Sequence, residues 1–279
     1  MPGWSCALLL KIEVDPAMLR SSHALLASLA VALPTAISAA TQQSFKGEYT
    51  VSVHGFSVAK ASFSSSYEGD TYSIEGRVSS AGLATIFDDT RGTVSSKGKI
   101  SGKQLQPQAF RADYKSGDKA SMIDIRFANG TVVATKVVPA PKKRNPNNWI
   151  PVAANHLASV LDPMAATVIH ADSLDKVCGR TVKLYDGEMR ANLTLTYESK
   201  GSTSVRGYEG DTVTCRLDFE PVAGYRKNRK SLDYLRKRSR ITVTFAPVGQ
   251  TGVYAPIHAT VGTKIGTLTV SAERFEATE

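Results

Sequence analysis

From Phe45 onward, hydrophobic and polar positions alternate along this chain with a period of two. Residues 48–54 (EYTVSVH) put Tyr49, Val51 and Val53 on one side, and 71–78, 122–127, 191–197 and 241–245 repeat the pattern. Successive side chains leave a strand on opposite faces, so β-branched and aromatic residues alternating with small polar ones mark half-buried antiparallel strands. Turn chemistry separates the runs: Glu68-Gly69-Asp70, Ser116-Gly117-Asp118, Asn129-Gly130, Asp186-Gly187 and Glu209-Gly210-Asp211. Asn-Gly and Asp-Gly suit tight hairpins because both central residues take positive φ. The spacing predicts an all-β fold of about a dozen antiparallel strands, as a strongly curved sheet or open β-barrel.

Two stretches depart from alternation. Residues 81–88 (AGLATIFD) read as a helical turn or short helix. In 151–170, Val152, Leu157, Val160 and Leu161 follow Pro151 at helical spacing until Asp162-Pro163, which predicts a helical insertion near 152–168. A polar, proline-rich connection (139–148) precedes it. The pentapeptide YEGDT occurs at 67–71 and again at 208–212. Its flanks do not match, so a tight turn using the same residues twice is preferred to a duplication of halves 45–138 and 172–275 joined by a helical linker. Residues 41–279 are read as a single β domain.

The front end reads differently. Arg20, the apolar run 24–37 broken by Pro34, and the small residues Ser38, Ala39 and Ala40 have the form of a cleaved secretory signal peptide. The run is shorter than the ~20 residues a membrane span needs. Residues 1–17 lie ahead of it, and Met18 is the better initiator, so 1–40 are set aside from the fold. Lys11 and Arg20 cancel Glu13 and Asp15, so the net charge of +9 survives processing. An exported cation meets anionic lipid and envelope glycan rather than nucleic acid. Cys6 falls in the leader, which leaves Cys178 and Cys215 at strand ends. An even pair in an oxidising compartment predicts one disulfide; a zinc site has no nearby His pair to support it.

Residues 225–240 (YRKNRKSLDYLRKRSR) carry Arg226, Lys227, Arg229, Lys230, Arg236, Lys237, Arg238 and Arg240 against Asp233 alone. A basic amphipathic helix and a charged hairpin connection both fit. Its two readings are an anion or membrane-surface contact and a solvated loop. Motifs for zinc hydrolysis, serine nucleophiles, phosphate loops and dinucleotides are missing from the sequence. His54, His156, His170 and His258 are scattered, and Asp88-Asp89 is an adjacent pair beside Arg91. No catalytic residue, metal or cofactor is assigned.

The segment 178–190 (CGRTVKLYDGEMR), then Thr214-Cys215-Arg216-Leu217, 220–224 (EPVAG), Leu161-Asp162-Pro163, Pro256-Ile257, Gly266 and Leu268, together resemble an exported bacterial family called domain of unknown function 3108. The resemblance spans residues 45–275 and implies a Gram-negative periplasmic envelope protein with a mostly antiparallel β fold. It carries over no reaction, and nothing for residues 225–240. The expectation is a non-enzymatic protein, peripheral to the membrane at most, that binds or carries an amphipathic anionic envelope component, lipid or lipopolysaccharide-like. A carrier would have an apolar cavity with Arg226, Lys227, Arg229 or Lys230 at its mouth. The alternative is an envelope-integrity or assembly factor that works through a protein partner without a ligand. A hydrolase would need a Ser–His or His–carboxylate cluster that only the fold could assemble.

Overall fold

The computed structural model describes residues 42–82, Thr85 and residues 90–278. The leader, most of the 81–88 segment and Asp88-Asp89 lie outside the described residues. The strands are β1 (Gln43–Val53), β2 (Phe56–Glu68), β3 (Thr71–Ser80), β4 (Thr90–Ser101), β5 (Gln104–Ser116), β6 (Lys119–Ala128), β7 (Thr131–Val138) and β8 (Trp149–Ile150). After them come β9 (Ile169–His170), β10 (Arg180–Tyr185), β11 (Arg190–Val205), β12 (Tyr208–Ala223), β13 (Tyr225–Arg226), β14 (Ile241–Pro247), β15 (Val253–Thr263) and β16 (Gly266–Thr278). An α-helix, α1 (Lys230–Lys237), stands between β13 and β14.

One 14-stranded sheet runs β10-β11-β12-β14-β15-β16-β1-β2-β3-β4-β5-β6-β7, with β9 added beside β15. Both halves of the chain belong to it, joined through the antiparallel β1–β16 pair. The sheet does not close on itself; β7 and β10 are its edges. Its curvature shows in the packing: β10 ends on Tyr185, whose hydroxyl reaches Thr135 of β7 at 3.4 Å. The inner face holds one cluster around Phe45, Tyr49, Ile74, Phe110, Ile125 and Phe275, and a second around Val177, Val182, Leu195, Val213 and Phe245. Phe275 takes edge-on contacts from Phe45 (4.7 Å) and Tyr208 (5.4 Å), the geometry aromatic quadrupoles prefer.

The connection from β7 to β10 differs from the expected helix. It makes short 3₁₀ turns at Ala154–Leu157 and Ala165–Thr167, with extended chain between them. Its backbone groups are used elsewhere. The Ser159 amide donates to the Gly130 carbonyl in the β6–β7 turn, and Ser159 sits at φ 53°. The Leu161 amide donates to Lys183, and its carbonyl accepts from Tyr185 on β10. Residue 158 forms a bridge to Thr131 of β7, so residues 158–161 seam the two edges of the sheet. An edge strand left open presents unpaired backbone groups, and this segment pairs with the start of β7 and the end of β10. Pro163 adds a local reason: it disfavours helical backbone at Asp162.

The YEGDT repeat takes two conformations. At 67–71 it is the β2–β3 turn, with Gly69 at φ 57°. At 208–212 it lies within β12, and the turn expected at Glu209-Gly210-Asp211 has moved to Arg206-Gly207. That tip docks on β16: the Phe275 amide donates to the Arg206 carbonyl at 2.8 Å. Gly207, at φ 87°, presses against Phe275 and Glu276, where a Cβ would sit 2.7 Å from the Glu276 side chain. Tertiary docking therefore outweighs the local preference of Gly-Asp for a turn.

Candidate functional site

In an antiparallel meander every second turn emerges at the same end. The β1–β2, β5–β6, β10–β11 and β15–β16 turns, the end of β7, the end of β12 and the start of β14 thus share one end of the sheet. The basic residues singled out in the sequence collect there. β14 pairs only with residues 213–216 of β12, and α1 packs beside the unpartnered remainder of β12 and the end of β15. Leu232 is the buried anchor of α1, and the Tyr234 hydroxyl donates to the Thr263 carbonyl at 3.2 Å. Asp233 in the first turn and Arg236 and Lys237 in the last complement the helix dipole. The segment is thus both readings in part: a strand–turn connection at 225–229, then a helix.

All eight cations are exposed. Arg236 lies 3.6 Å from Asp233, Arg240 pairs with Glu198 at 2.7 Å, and Lys227 Nζ donates to the Asn147 carbonyl. No carboxylate of the described residues lies within ion-pair distance of Arg226, Arg229, Lys230, Lys237 or Arg238. A second basic segment joins them. β13 pairs with β8, Arg226 opposite Trp149, and the Lys227 amide donates to Asn148. This brings in Lys142, Lys143 and Arg144, the last stacked 4.5 Å over the half-buried Trp149 ring and paired with Glu188. The sequence shows each basic run; it has no signal that runs some 80 residues apart adjoin.

A hollow of about 830 Å3 lies near the β5–β6 turn and the end of β7, bordered by Lys60, Arg77, Arg91, Tyr114, Met122 and Val138. None of the eight cations borders this hollow.

Cys178 and Cys215 are joined in a disulfide, with Cα atoms 5.7 Å apart. Cys178 precedes β10, as expected at a strand end, but Cys215 lies in mid-β12 between Tyr197 and Val243 and is fully buried. The bond therefore ties the chain ahead of the β10 edge to the inner face of the sheet.

Among the described residues the buried carboxylate is Asp162, at the seam. It is fully buried, and its Oδ1 accepts from the Met164 and Ala165 amides at 2.9 and 3.0 Å. Its Oδ2 accepts from Ser96 Oγ of β4 at 2.8 Å, with the Tyr72 hydroxyl 3.5 Å behind Ser96. Burial pushes the Asp162 carboxyl up to about 6, outweighing the hydrogen bonds that favour its charge. The same burial, with Asp162 nearby, pushes the Tyr72 phenol well above its ordinary value. This network closes on protein donors. It also gives Leu161-Asp162-Pro163 a role, since Leu161 pairs with β10 while Asp162 pins the seam to β4.

The one Ser–His contact of the described residues joins His258 Nδ1 and Ser271 Oγ, 3.1 Å apart across β15 and β16. His258 is within β15. No carboxylate of the described residues bonds the ring, and the pair sits in a cross-strand row with Thr244 and Thr50, where a triad requires an orienting third group. His54, His156 and His170 stand apart: His54 bonds the Ile265 carbonyl, and His156 Nδ1 accepts from the Ala153 amide. No group of three or more metal-ligating side chains occurs among the described residues, and no helix there is long and apolar enough to cross a membrane.

Fold and site together define a class: an open, barrel-like antiparallel sheet with a seamed edge, a stapled strand and one cationic end. A solved structure with this architecture is the beta-barrel-like protein of domain of unknown function DUF1849 from Brucella abortus, which is 12% identical. The match covers 85% of this chain and 98% of that one, with a TM-score of 0.51. No curated protein matches. The chain belongs to the family described as protein of unknown function (DUF3108), whose model matches residues 48–273.

Proposed function

We propose that this chain is an exported envelope protein, without a reaction of its own, that holds an anionic amphipathic envelope component against its cationic end. The carrying observation is that Arg226, Arg229, Lys230, Lys237 and Arg238 converge with Lys142 and Lys143 at one end without carboxylate partners. Clustered like charges repel, and a bound anion relieves that repulsion. The leader at residues 18–40 and the disulfide support a periplasmic setting. Contact at a surface replaces the cavity-mouth carrier in this reading, because the cations do not border the hollow.

The test is native mass spectrometry with lipid extraction on the full chain, expressed with its own leader and purified after export. A co-purifying anionic amphiphile is expected, lost when Arg226, Lys227, Arg229 and Lys230 are all changed to Ala. Ligand-free protein from mild preparations would overturn the reading and turn the search to a protein partner.

A further inference from the structure

Among the described residues, the two most exposed large apolar side chains are Ile265 (74%) and Phe56 (67%). They stand on neighbouring hairpin tips at the cationic end. His54, in the β1–β2 turn, donates from Nε2 to the Ile265 carbonyl in the β15–β16 turn at 2.6 Å, which locks the two tips side by side. Scattered exposed hydrophobics are ordinary; two on adjoining, hydrogen-bonded tips are not scattered. Cations adjoin the Ile265 tip. Lys264 shares the Ile265 tip and stands 6.0 Å from the Tyr234 ring of α1, whose last turn carries exposed Arg236 and Lys237, with Arg238 next. Ser239 Oγ donates to the Gly262 carbonyl and holds this turn against the base of the same hairpin.

We infer that this end docks on a bilayer surface rich in anionic phospholipid, with Phe56 and Ile265 entering the acyl boundary and Lys264, Arg236, Lys237 and Arg238 meeting headgroup phosphates. Protruding apolar tips with adjoining cations suit that interface, where apolar burial and attraction to anionic lipid add together. Two side chains make too small an apolar area for a stable protein interface, and the tips are convex rather than a pocket. The inference rests on the anion-contact reading above for its cations and adds apolar insertion to it.

The test is co-sedimentation of the exported full chain with vesicles of phosphatidylcholine alone or mixed with phosphatidylglycerol, at low and high salt. Binding is expected only where phosphatidylglycerol is present. The double variant Phe56→Ser with Ile265→Ser, which leaves every cation in place, should partition about tenfold more weakly, since each tenfold is 1.4 kcal/mol. As a second readout, Ile265→Trp should show blue-shifted emission and quenching by brominated lipid beyond that of the parent. No binding to the anionic vesicles would overturn the inference, while an amphiphile found by mass spectrometry would leave the proposed function intact. Binding by the double variant equal to the parent, with an unquenched new indole, would overturn insertion and leave a purely electrostatic contact.

Discussion

Asp162 offers a quantitative test of how the seam is held. Its carboxyl is raised from 3.8 to about 6. A group raised in the folded state stabilises the fold fully below its unfolded value, and that contribution is lost as pH climbs through the folded value. At neutral pH the ionised carboxylate therefore disfavours the fold by about 3 kcal/mol relative to acid. Asp162→Asn removes the charge and keeps an acceptor for the Met164 and Ala165 amides. The stability difference, Asn variant minus parent, should therefore rise by about 2.4 kcal/mol between pH 4 and pH 7. Asp162→Ala instead strands those two amides and Ser96, at about 1–3 kcal/mol for each buried donor, and should be destabilised at every pH. Urea unfolding of the full chain at several pH values measures both, and taking the difference cancels the other titrating groups. A difference flat from pH 4 to pH 8 would refute the raised carboxyl; a fully stable Ala variant would refute the seam network.

The disulfide closes 37 residues of sequence separation, so reduction or Cys178→Ser should cost about 4 kcal/mol by loop entropy. Denaturation with and without reductant measures the loss, and two reactive thiols in the oxidised protein would refute the bond. Gly207→Ala places a Cβ against Glu276 and Phe275 at φ 87°, a backbone conformation that disfavours Ala. It should cost about 1–3 kcal/mol and loosen the β11–β12 tip, seen as faster proteolysis within residues 199–212. Proteolysis equal to the parent would mean the tip does not depend on that close approach.

Period-two alternation made the strands legible, because the pleat forces it wherever one face is buried. The runs at 71–78, 122–127, 191–197 and 241–245 all lie within observed strands. The cysteine pair and the basic run were equally plain, since composition alone carries them. What the sequence could not show depends on distant partners. Residues 158–161 have helical spacing, yet their amides and carbonyls close a seam between the β6–β7 turn, β7 and β10. YEGDT turns at 67–71 and extends at 208–212, because the second copy belongs to an arm that docks on β16. Phe56, Ile265, Trp149 and Lys142 carry no local mark of a shared surface; the strand order brings them to one end. Local chemistry selects strands and turns through short-range sterics and burial, whereas the seam, the buried Asp162 and the cationic end arise from pairing between residues far apart in the chain.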